Sequence, residues 1–362
     1  MKKIIQTFIL GLALIPALSW GEEFVNFSIE KNIYANLSSD QQQDIVAKIS
    51  ELNIFFKNDV YPHIPTSVLE KIKDLQVTIN FSDKTGRDGL FIPGSENHKH
   101  KIIVQLIQIN SNGLKSLLAH EFFHAVHFEI NANEAPWVRE GMAQLFEYIV
   151  TNEFNGTNLQ AAIMNSLTPL IGNYGLEDIN AAQYGHNMLY FYYLYKHCGG
   201  DQFFWSMAEG VDELKGAYLI DSILSAQNSK KAECKNFLSS AISFEVAKLH
   251  NQIQLTKEED RERFFLAPTN LSPMELIVNT SAELMAAIHE VPLYSSLRIK
   301  LETWNNLTGH CKDCAIFYAK RSFPYDVNEE IPSPPLRNYD IILVKTGGEA
   351  VLTEVSSKNT RK

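Results

Sequence analysis

In the middle of an apolar stretch stands His120-Glu121-Phe122-Phe123-His124. On a helix, residues four apart share one face about a turn from each other, so both imidazoles can reach a single metal ion. Glu121 then faces the place where a water on that metal would sit, with a carboxylate able to take its proton. The chemistry such a set supports is hydrolysis by an activated water. A zinc ion held for catalysis takes three protein ligands and leaves its fourth position open, so two histidines are one ligand short.

The elements that must position these groups are legible around them. Over residues 113–130, Leu114, Leu118, Phe122 and Val126 recur every fourth position, which predicts an amphipathic helix with a core-facing stripe. Ahead of it, LQVTINF (75–81) and KIIVQLI (101–107) read as strands, rich in β-branched residues and separated by turn-forming segments. Between those turns GLFIPG (89–94) is expected to form a short edge strand. An earlier helix is expected over 38–60, behind a Ser/Asp cap. From residue 136 to about 200 the pattern is helical again, with Gly199 and Gly200 as its stop.

Fifteen residues separate His124 from Glu140, which lies in WVREGMAQLFEY, residues 137–148. This stretch resembles the second zinc-ligand helix of the gluzincin metallopeptidases, whose aminopeptidase-N-like members carry W-[LIV]-x-E-G-x-A-x-x-x-E-Y after an HExxH. The matching residues are Trp137, Val138, Glu140, Gly141, Ala143, Glu147 and Tyr148. The resemblance covers roughly residues 75–205. It implies an α+β protein with a thermolysin-like catalytic domain, in which a small sheet and the HExxH helix are followed by a helical lobe. It implies Zn²⁺ held by His120, His124 and Glu140, with Glu121 as general base.

The same resemblance sets expectations for neighbouring residues. Gly141 is expected to let the Glu140 helix approach the HExxH helix closely. Glu147, two turns from Glu140, either orients His120 or His124 or is a solvated surface glutamate. Related domains place a tyrosine just ahead of an aromatic helix to stabilise the oxyanion. In AAQYGHNMLYFYYLYKHCGG (181–200) Tyr184 matches that position best, with His186 and Tyr190 as the other candidates. The GLFIPG strand resembles the edge that pairs with substrate backbone in this fold. The G-x-M-E-N exopeptidase signature is missing, which points toward endopeptidase action.

A metzincin would need Gly at 127 and His at 130, whereas the chain has His127 and Ile130. His127 shares the metal face of its helix but stands a further turn away, so its expected role is a bond to nearby backbone or a carboxylate. The HKH at 98–100 reads as a solvated turn.

The 362 residues carry 32 basic and 42 acidic side chains, a net charge of −10. Nucleic acid and anionic membrane surfaces need concentrated Lys and Arg, so neither is an expected partner. Residues 1–21 read as a secretory signal: Lys2 and Lys3, about twelve apolar residues, then small residues at Ala17 and Ser19. No membrane span is expected after its cleavage, and the protein is expected to be secreted or periplasmic. Export makes disulfides permissible among Cys198, Cys234, Cys311 and Cys314. Local pairing, 198 with 234 and 311 with 314, is the simplest arrangement, although CKDC can also be a redox pair or half a zinc site.

Beyond the charged KEEDRERF (257–264) the pattern changes to strand-like runs with Asn, Gly and Pro turns. The expected organisation is therefore a signal peptide, a metallopeptidase domain over 22–262, and a small all-β, sandwich-like domain over 263–362. The expected function is zinc-dependent hydrolysis of a peptide or protein substrate. The competing expectation is a catalytically inactive gluzincin-like binding or scaffold protein.

Overall fold

In the computed structural model of the chain, the described residues are 24–82, 88–94, 99–165, 168, 170, 180–211 and 213–249, with strands at 296–300, 309–311, 314–320, 327–328, 339–345 and 352–354. The expected signal peptide and the expected boundary between residues 262 and 263 lie outside them. The protein is mixed α+β, with a small four-stranded mixed sheet and a majority of helix among the described residues. It divides into two compact units, residues 1–129 and 130–362.

The first unit begins with β1 (Val25–Ile29), a short helix α1 (Lys31–Asn36) and α2 (Ser39–Phe55). Ser38 and Gln41 form a reciprocal capping box at the start of α2, satisfying two backbone N–H groups that a helix end leaves unpaired. The expected 38–60 helix is thus present, but its last turn, Phe56–Val60, widens to π geometry before a 3-10 turn at Tyr61–His63. After α3 (Thr66–Lys71) come β2 (Gln76–Ser82), β3 (Gly89–Ile92) and β4 (Lys99–Gln105). The sheet order is β1-β2-β4-β3, with β1, β2 and β4 parallel and β3 antiparallel to β4. Among the described residues β3 pairs on one side only, as the edge-strand expectation has it.

Helix α4 (Leu114–Asn131) carries the HExxH residues. Its predicted stripe of Leu114, Leu118, Phe122 and Val126 is buried throughout. Phe122 meets Phe56 at 5.3 Å between centroids and Tyr61 at 6.0 Å, and Phe27 from β1 lies 6.1 Å from Phe56. Fully burying a phenylalanine contributes about 2 to 3 kcal/mol, so this aromatic cluster fixes the rotation of α4 about its own axis. That rotation decides where the histidines point.

The second unit holds α5 (Pro136–Thr151), α6 (Gly156–Met164), α7 (Ala181–His197), α8 (Gly200–Glu209), α9 (Gly216–Gln227) and α10 (Phe237–Leu249). Proline at the first position of α5 suits a helix start, and the buried Glu134 carboxylate accepts the N–H groups of Ala135 (2.6 Å) and Gly216 (2.7 Å). One side chain thereby ties the beginnings of α5 and α9 together. α7 opens on an Asn180/Gln183 capping box, and beyond its C-cap Cys198 stands Gly199 at φ +118°, a conformation glycine adopts without strain. A disulfide joins Cys198 to Cys234, as expected. The side chains of Cys311 and Cys314, and with them the second expected disulfide, lie outside the described residues.

Further along the unit, the backbone forms β5 (Ser296–Lys300), β6 (Gly309–Cys311), β7 (Cys314–Lys320), β8 (Val327–Asn328), β9 (Tyr339–Lys345) and β10 (Leu352–Glu354). β5, β9, β7 and β8 make an antiparallel sheet in that order, and β10 pairs with β6.

One glycine expectation is corrected here. A Cβ on Gly141 would stand 2.4 Å from Cδ2 of Phe191 and 3.2 Å from Cβ of Asn187, both on α7. The close approach that Gly141 permits within this unit is of α5 to α7, where the sequence reading assigned it to the HExxH helix.

Candidate metal centre

With its apolar stripe anchored, α4 leaves His120 and His124 half-buried on one face. Their Nε2 atoms are 3.2 Å apart and their rings stand edge to face at 85°. Glu140, in the second turn of α5, is buried, and the ligand atoms of His120, His124 and Glu140 all lie within 4.8 Å of one another. Among the described residues this is the group of metal-ligating side chains so arranged.

The donor set fits the ion the motif implies. Two ligands at 2.0 to 2.1 Å from a tetrahedral centre are about 3.3 Å apart, close to the separation of the imidazole nitrogens. No separation in the group is wider than 4.8 Å, at most about 1.5 Å beyond that value, a distance that side-chain rotation of a glutamate covers. Two neutral imidazole nitrogens and one carboxylate oxygen are the donors of a His₂Glu zinc site.

Glu121 is buried, and its surroundings come from the edge strand. A Cβ on Gly89 would fall 2.9 Å from Oε1 of Glu121 and 2.8 Å from Cδ1 of Leu117, so the β3 backbone approaches the carboxylate closely enough that a larger residue would displace the ends of both side chains. Two residues on, Phe91 stacks over the His124 ring at 6.3 Å and 29°. Strand alternation puts Gly89 and Phe91 on the same face of β3, toward α4, while Leu90 and Ile92 point the other way and are exposed. The strand therefore runs alongside both Glu121 and His124.

The other singled-out residues fall as follows. His127 is buried, with its ring 5.4 Å from that of Phe123, and is not one of the three grouped ligands. Glu147 is buried, which removes the solvated-surface alternative. Tyr184 is half-buried in the first turn of α7. His186 is fully buried and shares a 3.1 Å hydrogen bond with Glu245 on α10. Burial, reinforced by the nearby Lys248 ammonium, pushes its pKa down to about 4 against the pull of Glu245, so it is neutral at pH 7. The Tyr190 hydroxyl is engaged with Ser240 Oγ at 2.7 Å in the core. Both alternatives to Tyr184 as oxyanion donor are thus bound into packing between α7 and α10.

The expected solvated turn at 98–100 is a second correction. His98 lies outside the described residues, but His100 sits in β4, buried at 4% exposure. Its Nδ1 accepts the Gly94 N–H at 3.0 Å and its Nε2 lies 2.5 Å from Oε1 of Glu129 on α4. The flanking polar residues hid this, because the partner carboxylate is 29 residues away in sequence. For Gly89 the available signal was a glycine opening an apolar edge strand, a pattern that marks close backbone approach.

No protein-family model matches the chain, and no curated protein matches it significantly.

Proposed function

We propose that the chain is an exported zinc-dependent metallopeptidase of gluzincin type, with a thermolysin-like catalytic domain and a sandwich-like β domain after it. The observation that carries this reading is the convergence of His120, His124 and Glu140 beside a buried glutamate that faces an edge strand. His120, His124 and Glu140 would hold the ion. When bound, zinc supplies Lewis acidity that acidifies a water and polarises a carbonyl.

The chain's own residues do the rest. Glu121 takes a proton from the attacking water and delivers it to the nitrogen of the leaving amine, so one carboxylate serves as base and then as acid. Its burial keeps bulk water from competing for that proton. The edge of β3, which no described strand covers, offers backbone N–H and C=O groups to an extended peptide, which would pair as an added strand. Tyr184 is the proposed donor to the oxyanion.

The test is digestion of an unbiased peptide mixture by the full chain, with and without chelator, beside Glu121→Gln. Cleavage is expected to vanish with chelator and to fall about 10²- to 10⁴-fold in the variant, whose metal content stays that of the wild type. Undiminished cleavage by Glu121→Gln would remove the mechanism. A wild type with stoichiometric zinc and bound peptide but no cleavage would establish the scaffold reading instead.

A further inference from the structure

His100 connects three elements that frame the candidate site. Its Nδ1 receives the Gly94 N–H just past the end of β3, its backbone lies in β4, and its Nε2 meets Glu129 on α4. Because Nδ1 accepts a backbone N–H, the proton of the neutral ring is on Nε2 and is donated to the Glu129 carboxylate. Both side chains are sheltered, at 1% and 10% exposure, so these bonds do not compete with water. The ring also packs against Phe91 (5.5 Å) and Phe128 (5.4 Å), and Phe91 in turn stacks on His124. The start of β3 is held by the fit of Gly89 against Glu121 and Leu117. Its end has the His100 pin.

A four-residue edge strand paired on one side has little to define its distance from α4. An added peptide strand would take its register from β3, so an error in that distance becomes an error in where the scissile bond lies relative to Glu121. Misplacement by about 1 Å is enough to cost about 10²-fold in rate. We propose that His100 is a positioning residue, which with Glu129 holds the edge strand β3 at the spacing from α4 that an extended peptide substrate needs. This role rests on the peptidase reading above.

The test uses His100→Leu, which fills the site but makes neither bond, and His100→Asn, whose Oδ1 can stand in for the Nδ1 acceptor toward Gly94. Amide exchange at Gly94 and along 89–92 is followed by NMR or mass spectrometry, a readout that needs no activity. It is expected to accelerate at least about tenfold in His100→Leu and to recover in His100→Asn. In parallel, kcat/KM is compared for a hexapeptide, long enough to pair with β3, and a blocked dipeptide that is not. The Leu variant is expected to lose about tenfold more on the hexapeptide, mostly through KM, while its zinc content matches wild type. Unchanged exchange would overturn the pin, and equal losses on both substrates would overturn the alignment role. If the wild type cleaves neither, the peptidase reading fails by itself. Calorimetric affinity for the uncleaved hexapeptide then decides the role of His100, with weaker binding in His100→Leu supporting it and equal binding overturning it.

Discussion

Glu140 reaches the two histidines from a different helix, and its carboxylate is buried at 7% exposure. Keeping a carboxylate charged in a buried place is costly, so a bound divalent ion would offset that cost as well as gain a ligand. Replacing it by the isosteric amide keeps the shape and removes the charge. Glu140→Gln is therefore expected to lose most of its zinc on dialysis, as read by elemental analysis, while the fold persists by circular dichroism. Retention of stoichiometric zinc would move the third ligand elsewhere, and His127 would be the next residue to test. Glu121→Gln is expected to behave in the opposite way, keeping metal and losing turnover, because that carboxylate abuts the β3 backbone and is not among the three grouped ligands. The pair of variants separates holding the ion from moving the proton.

Between elements, the decisive contacts are close approaches of backbone, and Gly141 is the one with a measurable consequence. Adding a methyl group there would place it 2.4 Å from a ring carbon of Phe191. That ring is fully buried and held between Trp137 at 5.7 Å and Tyr190 at 5.6 Å, so it cannot swing away. Alanine gains about 1 kcal/mol in helix propensity over glycine, but overpacking a filled core costs about 1 to 3 kcal/mol. Gly141→Ala is expected to be less stable by up to about 2 kcal/mol in denaturant unfolding. A more stable variant would mean that α5 and α7 have room to spare. The same residue shows how far the elements could be read in advance. Period and turn chemistry placed α4, β2, β3, β4 and the start of α5 within a residue or two, because each pattern is local, but the single helical stretch expected over 136–200 is broken into α5, α6 and α7. Which helix a glycine faces is not local, since Phe191 stands 50 positions beyond Gly141. His100 was misread for the same reason: HKH between turn residues looks solvated, and only the fold brings Glu129 to it. That His120, His124 and Glu140 come together was an expectation within reach, because HExxH puts both histidines on one helical face and the gluzincin resemblance of WVREG pointed to Glu140.

Over the whole molecule, net charge is acidic, and among the described residues a buried cluster that joins α7 to α10 is sensitive to acid. His186, Glu245 and Lys248 are all buried, with the Lys248 ammonium 2.8 Å from Glu245 and the His186 ring 5.2 Å from Phe244. Desolvation opposes the Glu245 charge, but the Lys248 ammonium and the His186 hydrogen bond outweigh it and hold its pKa below the usual carboxylate range. His186 is the member whose titration falls in an accessible window. Its pKa drops from 6.5 to about 4 on folding, so between those values the unfolded chain binds a proton that the folded chain refuses. Stability therefore falls as pH falls below 6.5, and the loss is complete once the folded pKa is passed. At pH 5 the loss attributable to this ring is about 2 kcal/mol relative to pH 7, before most carboxylates begin to titrate. His186→Gln can keep the bond to Glu245 through its amide while removing the titration. Urea unfolding at pH 7 and pH 5 is expected to show that the variant loses about 2 kcal/mol less between the two than the wild type does. Equal losses would mean that His186 takes up its proton in the folded state, and that the cluster opens to admit water before the rest of the helices unfold.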